Sequence, residues 1–267
     1  MKDKNLLIQN GVDLEKSLEL FGDMEMYNES LGDFMSEIDN KLYKISHFKE
    51  MGDMHNYAIL THSLKTDAKY FGFVRLAELT YSHELQSKEK NIAFVNENYN
   101  NLIQEANRIK NLVKKYLISD TEEKSSINQT NNLCETVNSN IKSILVVDDS
   151  DIIKNFVKKI FVSDYHVLTA NDGAEAINII GQDSIYNIEA ILLDLNMPNV
   201  DGFKVLDFMK EKDLFKRIPV SIITGNDNKE IDLNAFQYPI IDILKKPFGE
   251  EAVKNVVEKT INNQINF

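Results

Sequence analysis

Apolar and polar positions change rhythm once along this chain. From Val12 to about Leu117 the apolar residues recur at helical intervals, with no proline and few glycines. Breaks near Gly22-Asp23, Gly52-Asp53, Gly72 and Lys90-Asn91 divide this part into about five helices, which predicts an all-α helical bundle. Asp13 and Asp53 stand just ahead of helical runs, where a side-chain oxygen caps the first turn. From Ser143 onward, short apolar runs alternate with helical spacing. Strands are predicted at 143–147, 165–170, 188–194, 220–224 and 240–244. Helices are predicted at 149–161, 172–180, from 203, near 229–236 and from 249. Five strands, each followed by a helix, predict an α/β doubly wound five-stranded parallel sheet.

Residues 119–141 fit neither rhythm. They are rich in Ser, Thr, Asn and Glu and have no apolar face, which predicts a flexible linker between a bundle at 1–118 and a sheet domain at 142–267. A coil of about 22 residues spans roughly 25–28 Å. The two domains can therefore meet, at an effective concentration on the order of millimolar.

Candidate chemistry stands at the strand ends. The run from Ile188 to Leu193 reads as a strand buried on both faces, and it stops on Asp194 before the turn formers Asn196, Pro198, Asn199, Asp201 and Gly202. A lone acid there would only cap the turn. Asp148 and Asp149 follow the first strand, Thr224 ends the fourth and Lys246 follows the fifth, and parallel strands bring all these ends to one edge. Three carboxylates in one crevice repel and need a compensating cation, and oxygen ligands suit Mg²⁺. With Lys246 for fixed charge and Thr224 as a hydroxyl donor, the set describes a site for a three-oxygen anion attached to Asp194.

The second candidate lies in the helix predicted over 53–71. Tyr57, Leu60, Leu64, Ala68 and Phe71 share one face, which is its core stripe. His62 points nearly opposite, with Lys65 and Lys69 on its side of the wheel. A solvated surface histidine is the plain reading. The sharper one is a phosphoryl carrier, in which neutral imidazole is the nucleophile and the cations screen the phosphate. His47, His55, His83 and His166 have no metal-ligand spacing and are assigned no chemistry.

Composition narrows the classes further. The chain has 267 residues, 43% hydrophobic and 27% charged, which suits one or two globular domains. No apolar run reaches membrane-spanning length and the first residues lack a signal-peptide pattern, so a cytoplasmic protein without a membrane is expected. The single cysteine, Cys134, excludes an internal disulfide framework. A net charge of −12, acidic in both halves, argues against nucleic acid as a partner.

Two resemblances cover most of the chain. The run His62-Ser63-Leu64-Lys65 through Gly72 resembles the signature helix of histidine-containing phosphotransfer (HPt) domains, over about residues 10–117. That implies a phosphorylated His62, with Lys65 supporting the phosphate and Gly72 allowing close approach; Thr66 stands where that family usually has Gly. Residues 142–265 resemble the flavodoxin-like receiver domain of response regulators through Val146-Val147-Asp148-Asp149-Ser150, Asp194 to Gly202, Ile223-Thr224-Gly225 and Lys245-Lys246-Pro247-Phe248. The resemblance implies Asp194 as phosphoacceptor. It implies a Mg²⁺ site of Asp194, Asp149 and the Asn196 carbonyl, with Asp148 acting through water. Thr224 would bond the phosphoryl group, Gly225 leave room for it and Lys246 pair with the acid, and the Lys246-Pro247 bond resembles one the family holds cis. Ile243 occupies the position of the family's aromatic switch residue.

Together these imply a two-component phosphorelay protein that passes phosphoryl groups between His62 and Asp194 or exchanges them with outside partners. No Gly-rich ATP motif is present, so the chain is expected to be a carrier and not a kinase, fed by a sensor histidine kinase or another relay protein. A homodimer through a receiver face stays open. Thr66 and Ile243 favour an alternative, a phosphate-gated or vestigial scaffold without productive relay. An aspartate-nucleophile phosphatase would need an acid two residues after Asp194, where Asn196 stands.

Overall fold

A computed structural model describes residues 2–118, 142–182, 186–225 and 234–262. The predicted linker at 119–141, Cys134 within it and most of the helix predicted near 229–236 lie outside the described residues.

The N-terminal part forms six helices, one more than expected: α1 (Lys4–Gln9), α2 (Leu14–Phe21), α3 (Met24–Glu50), α4 (Met54–Tyr70), α5 (Val74–Lys88) and α6 (Ile92–Ile118). The addition is α1, a short helix capped by Asp3 and buried through Leu7. Helices α3 to α6 contact one another in a ring, α3 on α4, α4 on α5, α5 on α6 and α6 on α3, as successive short connections in a bundle dictate. Asp13 and Asp53 cap α2 and α4 through the N–H groups of Lys16 and Asn56. The turn at Gly72 has φ +69°, and Asp13 N–H donates to Gly72 O at 2.9 Å. A Cβ on Gly72 would lie 2.2 Å from Asp13 O, so both conformation and space require glycine.

The C-terminal part is a five-stranded sheet of order β2-β1-β3-β4-β5, with every pairing parallel. Its elements are β1 (Ser143–Val147), α7 (Asp151–Phe161), β2 (His166–Ala170), α8 (Gly173–Gly181), β3 (Ile188–Asp194), α9 (Gly202–Glu211), β4 (Val220–Gly225), β5 (Ile243–Lys246) and α10 (Glu250–Asn262). Strand β5 sits later than the 240–244 read from hydrophobicity. Ile240 and Ile241 precede the strand; Ile241 N–H already donates to Val220 O at 2.8 Å, and regular pairing sets in where Ile243 to Lys246 meet Ile222 to Gly225. Helix α7 starts at Asp151 and not Asp149, because the first turn after β1 holds the two acids at the strand end.

The two parts are docked. One apolar cluster runs from the bundle core through α7, α10 and one face of the sheet, while a second fills the opposite face under α8 and α9. At the junction Phe156 meets Phe21 edge-on with centroids 5.7 Å apart, and Phe248 meets Tyr70 at 5.9 Å. Phe248 N–H donates to Tyr70 Oη at 3.1 Å. Docking corrects the helical-wheel reading of α4. Its polar side does not face water; His62 and Lys65 are 8% and 1% exposed, covered by α5 and by the α/β unit.

Candidate functional site

The edge formed by the carboxyl ends of β1, β3, β4 and β5 collects the residues expected there. One oxygen from each of Asp148, Asp149 and Asp194 can be chosen so that all lie within 4.8 Å of one another. Lys246 Nζ stands 2.5 Å from Asp194 Oδ2 and 2.7 Å from Asp148 Oδ2, a buried cation between two buried acids. Asn196 N–H donates to Asp194 Oδ1 at 2.8 Å, which fixes that carboxylate at the strand end. Thr224 is buried at the end of β4, its hydroxyl turned to Gly225 O at 3.3 Å. The Lys246-Pro247 peptide is cis.

Burial and mutual repulsion show in the acids' titration. Burial, then the charges of Asp194 and Asp149, push Asp148 up to about 7 against the pull of Lys246. Asp149 is raised as well, by burial first, with Lys41 the largest opposing charge. Three carboxylates converge here, and burial with mutual charge raises Asp148 and Asp149, so the set offers oxygen donors that fit Mg²⁺.

The other half of the site comes from the bundle. His62 Nδ1 lies 2.8 Å from Glu84 Oε1, and Glu84 Oε2 lies 2.8 Å from Lys65 Nζ. Burial alone would raise Glu84, but the hydrogen bond and charge of His62, together with Lys65, hold it well below the ordinary carboxylate range. A carboxylate only accepts, so Nδ1 carries the proton of this bond, and in the neutral ring the lone pair is on Nε2. Nε2 is buried and makes no hydrogen bond among the described residues. The ring lies over Gly225; a Cβ there would be 2.8 Å from His62 Cε1 and 3.1 Å from Nε2. A nucleophilic nitrogen thus faces the edge that carries Asp194. Thr66 does not crowd the ring, since its hydroxyl donates back to His62 O at 3.2 Å.

Several partners were not singled out from the sequence. Glu84 is one, and the pattern needed to find it was present: Gly72-Phe73 turns α4 back on α5, and His62 and Glu84 stand eleven positions either side of Phe73. The others are Lys41, Ser63 and Asp67. Lys41 Nζ bonds Ser63 Oγ at 3.0 Å and pairs with Asp67, and Ser150 Oγ donates to Asp67 Oδ1 at 3.1 Å across the junction. Ser150, at the N-cap of α7, therefore does not cap its own helix. His83, assigned no chemistry from the sequence, is buried with Nδ1 2.7 Å from Tyr57 Oη. No described helix is long and apolar enough to cross a membrane.

Comparison with known proteins places the α/β part. Residues 144–258 match the response regulator receiver domain family, and the C-terminal domain is a receiver domain. The chain is similar to a probable cyclic di-GMP phosphodiesterase of Vibrio cholerae, 30% identical over 122 residues that make up 46% of this chain and 27% of that protein. It is also similar to the hybrid signal transduction histidine kinase L of Dictyostelium discoideum, 32% identical over 120 residues, 43% of this chain and 7% of that one. The chain spans less than a third of the length of either relative. Among solved structures, the chemotaxis protein CheY4 of Vibrio cholerae is 26% identical with a TM-score of 0.40, over 45% of this chain and 98% of that chain.

Proposed function

We propose that the chain is a two-component phosphotransfer protein in which the bundle is an HPt domain carrying a phosphoryl group on His62 and the receiver carries one on Asp194. The observation that supports it most directly is the buried, unbonded Nε2 of His62 lying against Gly225 at the receiver's acidic edge. In transfer from bundle to receiver, an Asp194 oxygen attacks phosphorus in line, the O–P bond forms and the Nε2–P bond breaks. The ring leaves as neutral imidazole with its proton still on Nδ1, held by Glu84, so no proton has to move. The reverse step makes Nε2 the nucleophile and the Asp194 carboxylate the leaving group. Lys246 stabilises the charge on the moving group and Thr224 offers its hydroxyl. Asp148, Asp149, Asp194 and the Asn196 carbonyl would hold Mg²⁺, which supplies further neutralisation of the phosphoryl oxygens. The phosphoryl group would come from a sensor histidine kinase or another relay protein.

A second reading is a docked scaffold without productive relay. The half-buried Ile243 at the switch position and the continuous apolar junction favour it. Treating the full chain with acetyl phosphate and Mg²⁺, and mapping phosphate by mass spectrometry, separates the two. The relay reading expects label on Asp194 and then on His62, and none on either in Asp194→Asn. A labelled Asp194 that never passes phosphate to His62 in the folded chain would leave the scaffold.

A further inference from the structure

The bundle brings a second buried cation to the acidic edge. Lys41, on α3, is 7% exposed, and its ammonium bonds Ser63 Oγ at 3.0 Å and pairs with Asp67. Ser63 is also near enough to Asp149 to pull it down against its burial. On the other side, Asp67 accepts from Ser150 Oγ, while Ser150 N–H donates to Asp148 Oδ1 at 2.9 Å. Two acids of the cluster are thus tied to the bundle through one serine each. Lys41 and Asp149 also line the same cleft between the two parts, with Leu60 beside them.

We infer that Lys41 is a tethered counter-ion of the receiver's acidic cluster, so that docking of the bundle and binding of a divalent cation at Asp148, Asp149 and Asp194 oppose each other. Charges in a buried cleft are screened little by salt, so the Lys41 ammonium, offset only in part by its partner Asp67, repels a cation arriving at the cluster. It must also draw Asp149 away from Ser63. Burial alone would lower Lys41, but Asp67, with Asp149 and Glu37, outweighs it and holds the ammonium above its ordinary range, so the charge is present at neutral pH. Reciprocity follows: if docking weakens metal binding, metal weakens docking by the same factor. The inference rests on the acidic cluster being the metal site and not on transfer to His62, so failure of that transfer leaves it standing.

The test compares Mn²⁺ binding, followed by electron paramagnetic resonance of the free ion, in the full chain and in its Lys41→Met and Lys41→Arg variants. Lys41→Met is expected to bind Mn²⁺ at least about fivefold more tightly, with Lys41→Arg close to the parent. Equal or weaker binding by a Lys41→Met chain with the parent's circular dichroism overturns the inference. Should that variant not fold, a chain that keeps Lys41 decides. With Cys134→Ser, and spin labels at Tyr43→Cys and Phe236→Cys, both exposed positions, saturating Mg²⁺ is expected to lengthen and broaden the distance between labels. An unchanged or narrowed distribution overturns it.

Discussion

His62 and Glu84 meet at 2.8 Å across the hairpin of α4 and α5, and the bond they make decides which imidazole nitrogen can act. Because Glu84 accepts from Nδ1, the neutral ring has its lone pair on Nε2. Glu84→Gln removes the charge that holds this tautomer, and Glu84→Ala removes the acceptor altogether. Both are expected to slow phosphorylation of His62 roughly tenfold or more, by analogy with carboxylates that orient metal-bound histidines. Nitrogen-15 shifts of the His62 ring check the cause, since the neutral ring should become a mixture of tautomers. A slowed reaction with an unchanged tautomer would assign Glu84 a different role.

Gly225 reports on docking in a similar way. A Cβ at this position would stand 2.8 Å from His62 Cε1, and His62 cannot turn aside without leaving Glu84. Gly225→Ala is therefore expected either to part the two domains or to break the His62–Glu84 bond. Both outcomes expose the imidazole, so its modification by diethyl pyrocarbonate should speed up several-fold. A reaction as slow as in the parent would mean that the ring is not packed on Gly225 in solution.

The two halves of the site differ in how far the sequence discloses them, and the reason is geometric. Asp148, Asp149, Asp194, Thr224 and Lys246 each sit at the end of an apolar strand, and parallel pairing alone brings such ends together. Periodicity places them without knowledge of a single side-chain contact. His62 could be found on its helix, but its surroundings depend on which face α5 covers and on where the receiver docks. A helical wheel knows neither, so it put His62 and Lys65 toward water and left Glu84, Lys41 and Asp67 out of view. Turn glycines were legible throughout, because Gly22, Gly52 and Gly72 all adopt positive φ at helix ends. Helix α1 was missed as too short for periodicity to show.

His83 gives a pH dependence of defined sign. Burial lowers its pKa below the model-peptide value of 6.5, and Nδ1 shares a hydrogen bond with the Tyr57 hydroxyl. Below pH 6.5 the unfolded chain takes up a proton at this position that the folded chain refuses, so the contribution of His83 to stability falls as pH falls, down to the folded pKa. His83→Gln cannot titrate. The stability difference between parent and variant, from urea denaturation, is expected to shrink between pH 7.5 and 5.5, by at most about 1.4 kcal/mol. Taking the difference cancels the acids that titrate in both proteins. A difference independent of pH would mean that His83 binds its proton equally well folded and unfolded.

Tyr70 links the bundle to the segment that follows Lys246. Its hydroxyl accepts the Phe248 N–H at 3.1 Å, and its ring packs edge-on against Phe248 with an interplanar angle of 88°. Tyr70→Phe keeps the ring contact and deletes the acceptor, leaving a buried N–H without its partner. Such a group costs about 1–3 kcal/mol, which in a docking equilibrium is a shift of roughly 5- to 150-fold toward the open form. Neither domain's own core loses an apolar contact, so the circular dichroism of the chain should be unchanged. His62 should nevertheless become more reactive, because covering it depends on the receiver staying in place. Tyr70→Phe with unaltered His62 reactivity would mean that the remaining contacts, the aromatic packing and the Ser150–Asp67 bond among them, hold the domains together without it, and the further substitution Phe156→Ala, which thins the aromatic packing, would then be expected to open them.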